Sequence, residues 1–398
     1  MNTATRKDPL IIKLLPILGI TFIDSLGFTI LVPLMPYFVK HFGASDTVVG
    51  CLFATFAFCQ FVGGPVWGDV SDRIGRKAVL IVSQIGATVG WVMLAFAPNI
   101  GIVFLARVIE GFSGGNISVT QAYVSDLVEP EKRGRAFAYA GAAFSAGLVF
   151  GPLAGGFLVA RYGFSTPFLV AAALQVVTVI LTVVVLPDSR TAEASEKPAS
   201  WSDIKSSLLE RRVAPVLWQK LAYSLGFYGW TSVFTLVLQS QFGFDAANAS
   251  YVFCAFGLMM AIFQAGVVGR FTDVLGDRTA SNVGLIVLLV GFAIVPFAHT
   301  IPLAIPLIAC LSLGLALVNA TIPALLSALA PDNMRGSILG SASSLDSVSG
   351  VVMPVLSIGV LQVSGVASTV AVSFGLTTAA LIMGLAAHRA KSRTAGAL

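Results

Sequence analysis

Apolar runs of bilayer-crossing length dominate the chain. A helix crosses a hydrocarbon core of ~30 Å with ~20 residues. The segments Ala136–Ala160, Tyr162–Pro187, Leu221–Phe244 and Ala246–Gly269 have that length and carry no charged side chain. Longer runs hold more than one crossing: Ala78–Ala106 breaks at Pro98-Asn99, Thr279–Pro331 hinges around Pro296–Pro306, and Ser347–His388 breaks near Val363-Ser364-Gly365. None shows the two-residue alternation of a membrane β-barrel. The pattern predicts an all-α polytopic membrane protein with twelve transmembrane helices, at about 14–38, 47–68, 78–97, 101–125, 135–160, 165–187, 214–240, 248–270, 280–298, 303–329, 336–362 and 367–388.

One long polar stretch interrupts this pattern, from Asp188 to Arg212. It predicts a cytoplasmic linker, residues 188–213, with a short surface helix around Trp201–Leu209. The linker joins an N-terminal six-helix bundle, 1–187, to a C-terminal one, 214–398. Lys and Arg set orientation because they are retained on the inner side. With the N-terminus inside, only Lys40 and Arg161 face outward, and Arg107 and Lys220 lie within spans. Both termini are therefore expected to be cytoplasmic. The first span carries Asp24 and is too long for a cleavable signal.

Composition supports the pattern: 56% hydrophobic and 11% charged residues, with mean hydropathy +0.89. Soluble domains carry about a quarter charged residues. A soluble enzyme, a nucleic-acid binder and a disordered chain are all disfavoured. The net charge of +5 comes from basic residues that flank apolar spans, not from a basic patch. Cys51, Cys59, Cys254 and Cys310 lie inside apolar spans without CxxC spacing, which implies buried thiols and no metal framework. No nucleotide-binding glycine loop, nucleophile–base set or cofactor motif is present.

The two halves repeat at a shift near 200. His41-Phe42-Gly43 matches Gln241-Phe242-Gly243, and Phe53 and Phe56 match Phe253 and Phe256. Gly68, Asp72 and Gly75 fall on Gly269, Asp273 and Gly276; Pro130 and Arg133-Gly134 resemble Pro331 and Arg335-Gly336; Pro152 falls near Pro354. Parallel duplication of a six-helix unit is a design of transporters whose substrate site lies at the midplane.

Four ionisable residues fall deep within spans. Asp24 lies about ten residues into span 1, Glu110 about nine into span 4 from the opposite face, and Asp346 about ten into span 11. At 1.5 Å per residue all three reach ~15 Å, the middle of the core. Arg107 is the fourth. Buried charge is costly unless paired or hydrated, so a watered central cavity is expected. Arg107 can neutralise Glu110 at i+3 or Asp24 across helices, leaving at least one acid to carry an exchangeable proton. Asp24 is the first choice for that site. Arg107–Glu110 could equally be a static lock, and Asp346, among Ser343, Ser344 and Ser347, a simple interhelical hydrogen-bonder. Lys220, near the inner end of span 7, is expected to snorkel to the surface. Phe28, Tyr123, Tyr223, Phe227, Tyr228, Trp230, Gln239, Phe256 and Asn319 are candidate cavity residues. An apolar cavity with an acid suits lipophilic cations or weakly polar drugs.

The loop after span 2 reads Gly68-Asp69-Val70-Ser71-Asp72-Arg73-Ile74-Gly75-Arg76-Lys77. Its glycines allow a tight turn, Asp72 can face a helix N-terminus, and Arg76 can face a carboxylate such as Asp126. This stretch resembles the signature loop of the major facilitator superfamily. Leu26-Gly27 with Pro33 and Pro36 is similar to the LGxxxxxPxxP pattern of its twelve-helix drug:proton antiporter branch. Arg107-Val108-Ile109-Glu110-Gly111 is similar to RxxQG, with Glu110 in place of Gln. Gly147, Gly151-Pro152 and Gly155-Gly156 match GxxxGPxxGG.

The resemblance implies a proton-coupled exporter of small amphipathic compounds, working by alternating access as a monomer in a bacterial inner membrane. Proton coupling falls to Asp24, Glu110, Asp346 and Arg107. Substrate binding falls to Asp24, Phe28, Arg107, Tyr123, Phe227, Tyr228, Gln239 and Asn319. Gating falls to Gly68, Asp72, Arg73, Gly75, Arg76 and Asp126, and to Gly147, Gly151, Pro152 and Gly155, either as a seam between halves or as plain packing. Tetracycline-efflux proteins, which spans 1 to 5 resemble, carry a further Asp where this chain has Gly90. A symporter or facilitator for a sugar or organic acid is the alternative.

Overall fold

The computed structural model describes residues 9–114, 117–129, 132–187, 213–331 and 335–395, a few of them, Asp126 included, by backbone alone. The linker expected at 188–213 lies outside the described residues except for Val213. The described chain is helical: α1 Pro9–His41, α2 Asp46–Ile74, α3 Arg76–Ala95, α4 Ile100–Gly114, α5 Ile117–Leu127, α6 Arg133–Tyr162, α7 Ser165–Val185, α8 Ala214–Phe242, α9 Ala246–Phe263, α10 Gly269–Ile294, α11 Ile301–Leu329 and α12 Arg335–Ala395. A π-helical turn, Gln264–Val268, joins α9 to α10.

Twelve crossings follow, although they do not coincide one to one with these helices. Among the described residues ten segments are long and apolar enough to span a bilayer, and two of them, Ala246–Phe297 and Ile338–Ala386, have 52 and 49 residues, length for two crossings each. Both are cut by a glycine with positive φ, Gly276 inside α10 and Gly365 inside α12. Helices α4 and α5 together occupy the fourth crossing. The outward faces are apolar in the manner of a lipid-facing surface: Ile180 is 54% exposed, Val184 74% and Ile301 64%. Small polar side chains fill the interior instead, among them Thr178, Ser224, Ser250, Ser281, Ser312 and Thr321. Thr178, Ser250 and Thr321 return their hydroxyl to a carbonyl one turn back, Thr321 to Leu317 at 2.7 Å, so these buried hydroxyls are satisfied without a partner helix.

The duplication is written into the backbone. The positive-φ residues among those described are Gly43, Gly75, Gly163, Gly243, Gly276 and Gly365. They form three pairs at the repeat shift. Gly75 (φ 95°, ψ 148°) and Gly276 (φ 74°, ψ 156°) share one conformation; Gly163 (φ 78°, ψ 179°) and Gly365 (φ 76°, ψ −175°) share another. Gly43 and Gly243, at φ 70° and 64°, end the first helix of each half. L-residues with a Cβ disfavour this region, which explains why each half needs glycine at the same three corners.

The turn expected over Gly68–Lys77 is narrower than its sequence implies. Helix α2 continues to Ile74 and α3 begins at Arg76, so the break is Gly75 alone. Arg73 pairs with Asp69 at 2.8 Å, one turn back within α2, in keeping with the extension, and Arg76 reaches back across the break to Asp72 at 3.1 Å. Gly68 is helical and nothing lies within 4 Å of where its Cβ would be, so its glycine character is not used there.

Contacts group the chain into two compact units: Met1–Phe38 with Cys59–Ser195 and Ala246–Cys254, and Val39–Phe58 with Glu196–Asp245 and Ala255–Leu398. In the first, α3 packs on α7 and α4; in the second, α8 packs along α12 and α10 along α11. Close approach is permitted by glycine, as where Gly284 and Gly314 each face the other's carbonyl oxygen.

Candidate functional site

In the first unit, Asp24 sits midway along α1 and is half-buried. Its Oδ1 accepts a hydrogen bond from Nε2 of Gln175 on α7 at 3.0 Å. Among the described residues no cation pairs with it. Gln175 is the amide in the most apolar of the candidate spans, Ser165–Val185, with hydropathy 2.7. That isolation was the signal in the sequence that could have singled it out. One residue on, Ser25 donates to the Phe144 carbonyl at 2.7 Å and Thr29 to the Gly147 carbonyl at 2.9 Å, tying α1 to α6.

The glycine stripe of α6 makes this seam. A Cβ on Gly147 would meet Ser25 and Leu26, one on Gly151 would meet Thr29 and Leu26, and one on Gly155 would approach Ile30. These partners all belong to α1 in the same unit. Gly156, next in sequence, faces Ala247 and Ser250, which the contacts also group in that unit. Pro152 lies within α6 directly after Gly151.

Arg107 and Glu110, on α4, form a direct ion pair with side chains 3% and 4% exposed. The Arg107 guanidinium lies 5.8 Å from the Trp91 ring centroid, and Trp91 stacks on Phe168 at 6.3 Å. Gly90 makes room for this arrangement, because a Cβ there would collide with the Glu110 side chain. Of the two partners open to Arg107 in the sequence, the structure pairs it with Glu110. The space that a side chain at position 90 would need is taken by that carboxylate arm.

In the second unit, Lys220, Ser224 and Tyr228 stand at successive turns of α8 and face α12. Ser224 donates to Asp346 Oδ1 at 2.6 Å, and Lys220 Nζ lies 2.8 Å from the same oxygen. Lys220 therefore does not snorkel to the surface: its ammonium lies 5.6 Å from the Tyr223 ring centroid and is held by a carboxylate within the bundle. A fixed counter-charge in a low-dielectric core outcompetes a long reach to water. The Tyr223 hydroxyl donates to Asn319 on α11 at 2.8 Å. Tyr223, Phe227 and Tyr228 form a ladder with centroid spacings of 6.1 and 5.3 Å. Beside it, Tyr223, Phe227, Trp230, Phe292, Leu311 and Leu315 enclose a small apolar gap of about 10 Å³, the size of one water molecule.

The remaining sequence-predicted residues are scattered. Phe28, one turn beyond Asp24, is 41% exposed. Tyr123 is enclosed in a core with Leu14, Ile17, Ile20, Val79 and Leu80, and donates to the Pro187 carbonyl at 2.9 Å. A ligand could reach it only by opening that core. Gln239, close to the end of α8, accepts from Lys40 at 2.6 Å, and Lys40 also pairs with Asp46 at 3.1 Å. Arg76 is buried and bonded to Ser71 and Asp72, each at 3.1 Å. The Asp126 side chain lies outside the described residues.

Pairing separates the deep acids. Glu110 has Arg107 and Asp346 has Lys220, while among the described residues Asp24 has only the neutral amide of Gln175. Among the described residues no group of three or more His, Cys, Asp or Glu side chains gathers as a metal site would require.

Known proteins share this architecture. Residues 17–354 and, in an overlapping match, 221–397 fit the family described as the Major Facilitator Superfamily. The chain is 29% identical over 350 residues to the class C tetracycline resistance protein of Escherichia coli, covering 86% of this chain and 88% of that one. It is 27% identical over 346 residues to multidrug resistance protein 2 of Bacillus subtilis, covering 84% and 85%. Among solved structures, the human organic anion transporter MFSD10 superposes with TM-score 0.70 at 19% identity, covering 95% of this chain and 100% of that one. The POT family transporter PepTSo superposes with TM-score 0.77 at 14% identity, covering 96% and 98%. With twelve crossings, a glycine-marked repeat and a match across nearly its whole length, the chain is a multi-pass membrane transporter belonging to the major facilitator superfamily.

Proposed function

We propose that this transporter is a proton-coupled antiporter that exports small amphipathic, drug-like compounds across a bacterial inner membrane. Its six-helix halves, residues 1–187 and 214–398, work by alternating access, with both termini in the cytoplasm and one chain as the working unit. The turn at Gly75, with Asp72, Arg73, Arg76 and Asp126, latches one state.

The observation that carries this reading is the unpaired state of Asp24. A carboxyl group in a membrane core can be neutralised by a cation or by a proton. Glu110 and Asp346 have the first. Asp24, held only by Gln175, has the second open to it. A proton on Asp24 in one state and an ionised carboxylate facing substrate in the other couples the two fluxes by competition. The relatives' names, tetracycline and multidrug resistance proteins, favour drug-like substrates and export.

The test is reconstitution in liposomes loaded with a pH probe, with lipophilic cations and neutral drugs added to wild type and to Asp24→Asn. Substrate-driven proton movement that disappears in the variant is the expected result. Substrate flux without proton movement, equal in both proteins, would sink the antiport reading and leave a facilitator.

A further inference from the structure

We propose that Lys220 and Asp346 form a binding site for zwitterions, compounds that carry an ammonium and a carboxylate close together. This rests on the transporter reading above and names a substrate class for it. The pair is only half satisfied. Ser224 and Lys220 both bond Oδ1 of Asp346, and no described side chain bonds Oδ2. Lys220 carries three N–H donors and spends one of them on Asp346. What is left over is a carboxylate oxygen beside two ammonium hydrogens, the complement of an ammonium beside a carboxylate.

Accessibility distinguishes this pair from the other one in the membrane. Arg107 and Glu110 are 3% and 4% exposed and closed off. Lys220 and Asp346 are 12% and 31% exposed, so a ligand can reach the carboxylate from open space while the ammonium stays partly desolvated. Partial desolvation strengthens charge-assisted hydrogen bonds that form there.

Charge balance selects the ligand class. The pair is neutral, and a monovalent ion bound beside it would leave an uncompensated charge in the membrane core, at a cost of several kcal/mol. A zwitterion adds none.

Calorimetric titration of the purified full-length chain with three probes on one body provides the test: homophenylalanine (zwitterion), 3-phenylpropylamine (cation) and 4-phenylbutyrate (anion). Wild type is expected to bind the zwitterion about tenfold or more tightly than either ion, and Lys220→Met/Asp346→Leu to lose that preference. Should the neutral double variant fail to fold, the exchanged pair Lys220→Asp/Asp346→Lys keeps both charges between α8 and α12 and should still prefer the zwitterion. Equal binding of all three probes, a preference for either ion, failure of the zwitterion to bind, or a preference that survives in the folded neutral variant overturns the proposal and leaves the pair as a tie between helices. The antiport reading is scored separately, by whether substrate drives proton movement that Asp24→Asn abolishes, so either reading can fail while the other stands.

Discussion

Gln175 donates its amide hydrogen to Asp24 across α7 and α1, 3.0 Å from nitrogen to oxygen, and so holds an acid that no described cation neutralises. Hydrogen bonds to charged groups contribute about 1.5–3 kcal/mol. Removing this donor should therefore change how readily Asp24 gives up its proton by tenfold or more. Gln175→Leu is expected to cut proton movement per added substrate about tenfold, with substrate affinity changed less than twofold. Gln175→Glu, which can share a proton with Asp24, should restore part of the flux and alter its pH profile. The check is pH-probe fluorescence in proteoliposomes beside equilibrium binding. Unchanged flux in Gln175→Leu would remove the amide from the coupling machinery.

Gly90 faces Glu110 so closely that even a methyl group has no room. Overpacking of this kind typically costs about 1–3 kcal/mol. Gly90→Ala should therefore lower the melting temperature of the purified protein clearly, and Gly90→Asp should lower it further by setting a second carboxylate against Glu110. Thermal unfolding in detergent, followed by fluorescence, reads both. A melting temperature equal to wild type in Gly90→Ala would show that Glu110 has another rotamer available at little cost.

How much of this was legible beforehand depends on what each feature responds to. Span number and class follow from partition between lipid and water, a property of composition along a window, and the apolar runs carried it. Charge in a membrane core is costly wherever it points, so Asp24, Glu110 and Asp346 stood out without a structure. Pairing is different, since it depends on helix rotation and on neighbours far away in sequence. Lys220 looked like a surface-seeking side chain until α12 brought Asp346 to it across 126 positions of chain, and the bond from Gln175 to Asp24 depends on how α1 and α7 are rotated toward each other. Tyr123 had the composition of a cavity residue but packs into a closed core. The corner shared by Gly163 and Gly365 escaped the repeat comparison because its flanking residues differ, although the backbone there is the same.

Gly75 and Gly276 offer a test of that backbone symmetry. Each holds a positive φ, at 95° and 74°, where a residue with a Cβ is disfavoured. With ψ at 148° and 156° both sit in an extended, positive-φ region that is essentially glycine's alone, and holding another residue there costs roughly 1–3 kcal/mol. Gly75→Ala and Gly276→Ala are expected to destabilise the protein by similar amounts, while Gly68→Ala, at a helical position with nothing within 4 Å of its Cβ, should be neutral or slightly stabilising. Melting temperatures of the three variants decide the matter. Equal loss at Gly68 and Gly75 would contradict the assignment of the turn to one residue.

The seam between α1 and α6 allows a cleaner separation of packing from backbone clash. A methyl group at position 151 would run into the Thr29 hydroxyl and would also lie 2.7 Å from the Leu26 carbonyl oxygen. The first obstacle is a side chain that can be removed, and the second is main chain that cannot. Gly151→Ala should therefore reduce both melting temperature and transport, and Thr29→Ala in the same protein should recover only part of the loss. Thr29→Ala alone removes a single hydroxyl donor, 2.8 Å from the Ser25 carbonyl oxygen and 2.9 Å from that of Gly147, and should cost about 0.5–1.5 kcal/mol. A double-mutant cycle isolates the coupling, which is expected to be favourable and between 0.5 and 3 kcal/mol for residues in contact. Full rescue would mean that α1 can shift away from α6 and that the carbonyl imposes no limit. No rescue at all would mean that the main chain, not the Thr29 hydroxyl, sets the spacing of the seam.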